Sequence, residues 1–320
     1  MTEGNPEANV LFGRRVGRRA LFRGIGLAGI GLTAAALVGC DDDGDGDGNG
    51  DGGNGGATTG GSVLEQARER GYITIGFANE APYGFANEAG EVTGEAPEVA
   101  KVIMAELGVP EVQGVVTTFA SLIPGLQAGR FDVIAAGMFI NADRCGQIQF
   151  SDPDYCIPQA FGVEAGNPMG LTSYEDVAAS EATLGVLSGG VEEGYATDLG
   201  VPDDRITRFD EPTSMAEGLQ AGRVDAIAAT SLSIRAQLDR LADSNLEMTA
   251  GFTPVIDGVA QNGCGGYGFR TDDTELYEEF NRVLNDMKAN DEIVGITEPF
   301  GFGSTEIDAA KDVTVDDLCG

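Results

Sequence analysis

The chain has 320 residues, 42% of them hydrophobic, with 52 acidic against 19 basic side chains and no histidine. A net charge of −33 excludes a nucleic-acid partner, because such a polyanion would repel phosphates. The missing histidine removes His-based acid/base catalysis, Ser-His-Asp triads and His-ligated metals in one step.

Self-repulsion on this scale is screened where molar salt shortens the Debye length to ~3 Å, so the charge points to a high-salt, halophilic habitat. From the N-terminus, residues 14–23 read RRVGRRALFR, and an apolar run from Gly24 to Gly39 ends at Leu37-Val38-Gly39-Cys40. A basic stretch, an apolar stretch and a small residue before a cysteine make an export signal. Arg18-Arg19-Ala20-Leu21-Phe22 resembles a twin-arginine signal, and Leu37–Cys40 resembles a lipobox. The run is short for a span of ~30 Å. Residues 1–39 are therefore expected to be a cleaved signal, with Cys40 lipidated and holding the protein on the outer face of the cytoplasmic membrane. Residues 40–62, rich in Asp and Gly, are expected to form a disordered tether. Their spacing lacks the Glu that closes an EF-hand loop, so no metal is expected there.

Beyond the tether, helical and strand patterns alternate. Val63–Arg70 reads as a helix, Tyr72–Ala78 as a strand, Pro97–Leu107 as a helix and Val112–Thr117 as a strand. Leu122–Gln127 reads as a helix closed by Gly129, and Phe131–Ala136 as a strand. Leu184–Leu187, Ile206–Phe209 and Val224–Ala229 read as further strands. Alternation of this kind predicts an α/β fold with mostly parallel sheets. One stretch occurs twice. GLQAGRFDVIAA at 125–136 recurs as GLQAGRVDAIAA at 218–229, differing only at Phe131/Val224 and Val133/Ala226. Two similar helix-turn-strand units one lobe apart imply two lobes, with ligand bound beyond the carboxyl ends of their strands in a cleft that closes about a hinge.

The stretches GYITIGFANEAPYGF (71–85), TFASLIPGLQAGRFD (118–132) and NADRCGQIQFSDPDY (141–155) resemble the polar-amino-acid class of solute-binding proteins of ABC importers, over about residues 63–320. Within it the chain resembles the ectoine/hydroxyectoine-binding branch, through Ala78-Asn79-Glu80-Ala81-Pro82-Tyr83-Gly84, Phe119, Phe139, Arg144-Cys145 and the terminal Asp317-Leu318-Cys319. The resemblance implies a type II periplasmic-binding-protein fold with two crossover hinge strands. Lobe 1 would comprise residues 63–157 and 267–320, and lobe 2 residues 158–266. It also implies a monomeric receptor for a small zwitterion that serves an ABC permease, with no cofactor and no metal.

Ectoine joins a carboxylate to a ring with a delocalised cation. Arg144 would take the carboxylate as a bidentate fork, unless it pairs instead with Asp143 or Asp152. Glu80 would face the ring cation, unless it is one more solvated loop acid. Tyr83, Phe119 and Phe139, matching aromatic positions of the branch, would box the cation at roughly 0.5–2 kcal/mol per contact; Phe119 could also cap the helix that follows, and Phe139 is read as lying past its strand. Phe85 is read as structural or rim. In lobe 2, Gly190 and Val191 in the turn after Leu184–Leu187 would offer backbone N–H groups to a carboxylate. Thr230 stands where amino-acid receptors of the class often carry Asp, which argues against an ordinary α-amino acid.

Four cysteines remain besides Cys40, and in an exported chain an even number suggests two disulfides with three possible pairings. Cys156 and Cys264 flank the two expected crossover strands, which suggests Cys156–Cys264 and leaves Cys145–Cys319. Three other functions compete with an ectoine receptor: a receptor for a polar amino acid or betaine, an exported dehydratase-like enzyme using Glu80, and a detached sensory module. The lack of histidine and of a second catalytic pair weakens the enzyme.

Overall fold

The computed structural model describes residues 61–241 and 244–320. The expected signal, Cys40 and the tether up to residue 60 lie outside the described residues. The fold starts at a capped helix, Val63–Arg70. Ser62 Oγ accepts from Glu65 N at 3.2 Å, and Glu65 Oε2 accepts from Ser62 N at 3.0 Å. This reciprocal cap satisfies N–H groups that a helix start leaves open. Leu64 and Ala67 face the core, and Gly71 ends the helix at φ 80°.

Two sheets follow. In the first, the strand order is Glu111–Val116, Tyr72–Phe77, Val133–Phe139, Cys264–Phe269 and Gln149–Phe150, with Tyr155–Cys156 also paired to Cys264–Phe269. Tyr72–Phe77 runs parallel to both its neighbours, whereas Cys264–Phe269 runs antiparallel to its partners. In the second sheet the order is Ile206–Phe209, Leu184–Leu187, Ala226–Thr230, Gln159–Glu164 and Leu246–Met248, with Gln159–Glu164 alone running against the other four. Each sheet thus has strands of one common direction, as expected, interrupted by a single reversed strand, Cys264–Phe269 in the first and Gln159–Glu164 in the second. The antiparallel strands belong to the segments that carry the chain between the sheets.

The repeated sequence unit is a repeated structural unit. Gly129 and Gly222 both take φ 66°, and Arg130 N and Arg223 N reach back to Gly125 O and Gly218 O at 2.9 and 2.8 Å. Asp132 Oδ2 then accepts from Thr74 N and Oγ1 at 3.0 and 2.8 Å. Asp225 Oδ2 accepts from Thr183 N and Oγ1 at 2.8 and 2.7 Å. In each lobe this aspartate ties the repeated turn to the start of the neighbouring strand and sets its register.

The chain leaves the first sheet after Cys156 and enters the second at Gln159. It returns beside the same path. Ile157 N donates to Gly263 O at 2.8 Å, and Gln159 and Phe252 exchange backbone bonds at 2.9 and 2.8 Å. Between Phe252 and Gly263 the returning segment makes a small hairpin, Val255–Ile256 against Val259–Ala260. Cys156 and Cys264 are directly paired residues of the first sheet and are joined by a disulfide; Cys145 is joined to Cys319. Because Cys264–Phe269 lies wholly in the first sheet, Cys264–Gly266 sit in that sheet, not in the second lobe as expected. The three glycines of this strand hide it from a propensity reading.

Candidate functional site

Strand ends and the turns after them converge between the lobes on a small, nearly filled cavity of about 40 Å³. Glu80, Tyr83, Phe119, Phe139, Arg144, Gly190, Val191 and Thr230 all line it. Phe85 does not; its ring packs edge-on against Phe300 at 6.4 Å.

Glu80 and Tyr83 ride on one tight loop. Glu80 N donates to Gly84 O at 2.9 Å, and Glu80 O accepts from the N–H groups of Tyr83 and Gly84 at 2.9 and 3.1 Å, around a cis Ala81–Pro82 bond. Glu80 is not a solvated loop acid. It is 9% exposed, and burial pushes its carboxyl up to about 7, opposed by a 2.6 Å hydrogen bond from Ser233 Oγ and reinforced by Glu192 nearby. The Tyr83 ring is buried against Tyr155 and Phe302, at centroid distances of 5.6 and 5.3 Å, and its hydroxyl donates to Thr230 Oγ1 at 2.6 Å. Gly137 makes room for that ring. At φ 63°, a β-carbon on Gly137 would lie 2.1 Å from Tyr83 Cδ1.

Arg144 sits on the one-turn helix Ala142–Cys145, capped by Asn141, whose side chain accepts from Arg144 N at 2.9 Å. Neither Asp143 nor Asp152 claims its charge. Its Nη1 donates to Phe139 O at 2.6 Å and its Nη2 to Gly189 O at 3.0 Å, with the guanidinium 5.4 Å from the Phe119 centroid. Asp152 instead accepts from Asn281, Asn285 and Val315 N. Burial disfavours the Arg144 charge, while Glu192 favours it. A guanidinium has five N–H donors, so backbone carbonyls leave some for a ligand. Phe119 opens a short 3-10 turn ahead of the Leu122–Gln127 helix, and Phe139 is the last residue of its strand, not beyond it.

The second-lobe turn departs from expectation. Gly190 N–H is already spent on Leu187 O at 2.9 Å. The Glu192 carboxylate folds over the glycine, so that a β-carbon on Gly190 would lie 2.6 Å from Glu192 Oε2. A protein carboxylate thus occupies the place expected for the ligand's, and Val191 contributes as the first residue of the Val191–Asp198 helix. Glu192 is 7% exposed, and burial raises its carboxyl, opposed by its own backbone N–H, Arg144 and Gln159. Gly137, Leu187, Glu192, Met215 and Ala229 also line the cavity but escape sequence reasoning. For Glu192 a signal existed: an acid in the first turn of a helix that follows a Gly-Gly pair. For the others none did.

Residues 73–304 match the family model described as bacterial extracellular solute-binding proteins, family 3. A probable amino-acid ABC transporter periplasmic-binding protein, y4tE, of Sinorhizobium fredii is 37% identical over 263 residues, covering 81% of this chain and 87% of that protein. The crystal structure of EhuB in complex with hydroxyectoine is similar, with a TM-score of 0.74 at 37% identity, covering 81% of this chain and 98% of the other. An ancestral arginine-binding protein bound to arginine is more distant, with a TM-score of 0.64 at 29% identity over 72% of this chain and 98% of its own.

Proposed function

The chain belongs to the bacterial extracellular solute-binding proteins of family 3, and from that premise we propose that its cargo is ectoine or hydroxyectoine. It is a solute-binding protein of the amino-acid ABC-transporter type. One observation carries the choice of cargo. A small cavity gathers one buried guanidinium, two buried carboxylates and three aromatic rings. Groups of both signs beside aromatic faces suit a zwitterion, whose carboxylate meets the guanidinium and whose delocalised cation meets a carboxylate and the rings. The ligand carboxylate goes to Arg144, and the ring cation to Glu80 and the faces of Phe119 and Phe139. Thr230, whose hydroxyl accepts from Tyr83, stands where amino-acid receptors of the class often carry Asp. The similarity to a hydroxyectoine-bound protein supports the same reading.

Around this core stand the finer parts of the proposal. The protein is exported by a twin-arginine signal, lipidated at Cys40, active as a monomer at high salt, and docks on ABC permease subunits. No helix among the described residues is long and apolar enough to cross a membrane. No observation favours the dehydratase alternative. Titration calorimetry in molar salt tests the cargo: ectoine should give a saturable heat and glutamate or histidine almost none. Comparable heats for the ordinary amino acids would overturn it.

A further inference from the structure

Glu80 belongs to the first lobe, yet its hydrogen-bonding partner belongs to the second. Ser233 Oγ donates to Glu80 Oε1 at 2.6 Å across a sequence separation of 153. Among the described residues no protein group donates to the other oxygen of Glu80. Both side chains are buried, Ser233 at 1% exposure. The Ser231–Arg240 helix does not need this hydroxyl. Its start is capped by Thr230, whose Oγ1 accepts from Ser233 N at 3.2 Å. A serine inside a helix usually turns to solvent or back-bonds to a carbonyl one turn earlier, and Ser233 does neither.

We propose that Ser233 is a positioning residue, which fixes the Glu80 carboxylate from the opposite lobe so that Glu80 gains its cargo-pairing orientation only as the cleft closes. This rests on the reading of Glu80 as partner of the ring cation. One carboxylate oxygen is then held by Ser233 and the second is left for the ligand. The ionisable groups that face Glu80 are Tyr83 on its own loop, Glu192 on the Val191–Asp198 helix, Tyr155 on the first sheet and Arg144 across the cavity. The charge that acts on Glu80, that of Glu192, disfavours its ionised form. The Ser233 hydroxyl is therefore the neutral donor that favours the carboxylate over the carboxylic acid.

The test uses the whole folded protein, ectoine as probe, and the variants Ser233→Ala, Ser233→Thr and Glu80→Gln. Losing a hydrogen bond to a charged group weakens affinity by about 10- to 100-fold. Ser233→Ala should show this loss in the dissociation rate, with association little changed. The pH below which ectoine binding falls off should move upward, because the acid form of Glu80 is no longer opposed. Ser233→Thr keeps a hydroxyl and should restore both. If Ser233→Thr is as impaired as Ser233→Ala, packing is the cause and the proposal fails. If Glu80→Gln abolishes binding while Ser233→Ala leaves dissociation and pH profile untouched, Glu80 pairs with cargo unaided and the proposal also fails. If Glu80→Gln binds ectoine like the parent, the cargo reading of Glu80 falls first and the role of Ser233 with it.

Discussion

Replacing Glu80 by Gln should make the ligand-free protein less sensitive to alkali. The carboxyl is held at about 7 in the folded state against an ordinary value of 4.5, chiefly by burial. Below 4.5 the acid is protonated in both folded and unfolded chains, and the site costs nothing. As pH rises towards 7 the unfolded chain releases the proton while the folded one keeps it, so stability falls. A shift of this size is about 3 kcal/mol, fully developed above pH 7. That figure is an upper bound, because the cleft can open and rehydrate Glu80 without unfolding. Glutamine keeps the shape and still accepts from Ser233, but it does not titrate. Urea unfolding of both proteins in molar salt at pH 5 and pH 8 reads the difference. The parent should lose up to about 3 kcal/mol relative to the variant over that interval. Ectoine should bind the parent more tightly at pH 8 than at pH 5, since its cation stabilises the ionised form. Parallel stability curves for the two proteins would refute the reasoning that Glu80 is desolvated in the folded state.

Other consequences are equally open to measurement. Arg144→Ala should abolish ectoine binding in calorimetry without lowering the melting temperature by more than a few degrees; unchanged affinity would remove its carboxylate role. Gly137→Ala must place a methyl group 2.1 Å from Tyr83 Cδ1 at φ 63°. It should lose about 1–3 kcal/mol of stability or more, and weaken ectoine binding as Tyr83 is displaced; a neutral result would mean that the ring does not depend on this glycine. Breaking Cys145–Cys319, which closes a separation of 174 residues, by a double substitution to Ser should cost about 2–5 kcal/mol in denaturant unfolding. It should also weaken binding, since Cys145 ends the helix that carries Arg144. With a net charge of −33, the midpoint of unfolding should rise steadily from low to molar sodium chloride; a flat salt response would contradict the screening argument.

The parts of this architecture legible in the sequence are those built from local chemistry. The repeated helix-turn-strand unit announces two related lobes because its glycine, aspartate and apolar residues each have a local job. Strand ends were harder to place. Val133–Phe139 runs three residues beyond its expected end, and this brings Phe139 into the strand. Its glycine at 137 obscured the continuation. Cys264–Phe269 was invisible for the same reason. At the site, Glu80, Tyr83 and Arg144 were legible through the resemblance to the ectoine/hydroxyectoine-binding branch, whose motif residues they match. Glu192 passed for one more acid among 52. Ser233 could not be found at all, because its partner lies 153 residues away in the other lobe and only the folded chain brings them together.

The paired crossing between the lobes constrains how they move. Two independent tethers would let one lobe swivel about their length and wander in orientation. Here the outgoing and returning segments are stapled at one end by Cys156–Cys264 and laced at the other by the exchange between Gln159 and Phe252. They form a two-ply strap whose plies cannot move independently. Linked crossings of this kind should leave the open receptor fewer lobe orientations than two independent tethers would. Little orientational freedom remains to be lost when cargo arrives, so more of the contact energy of the cavity survives as affinity.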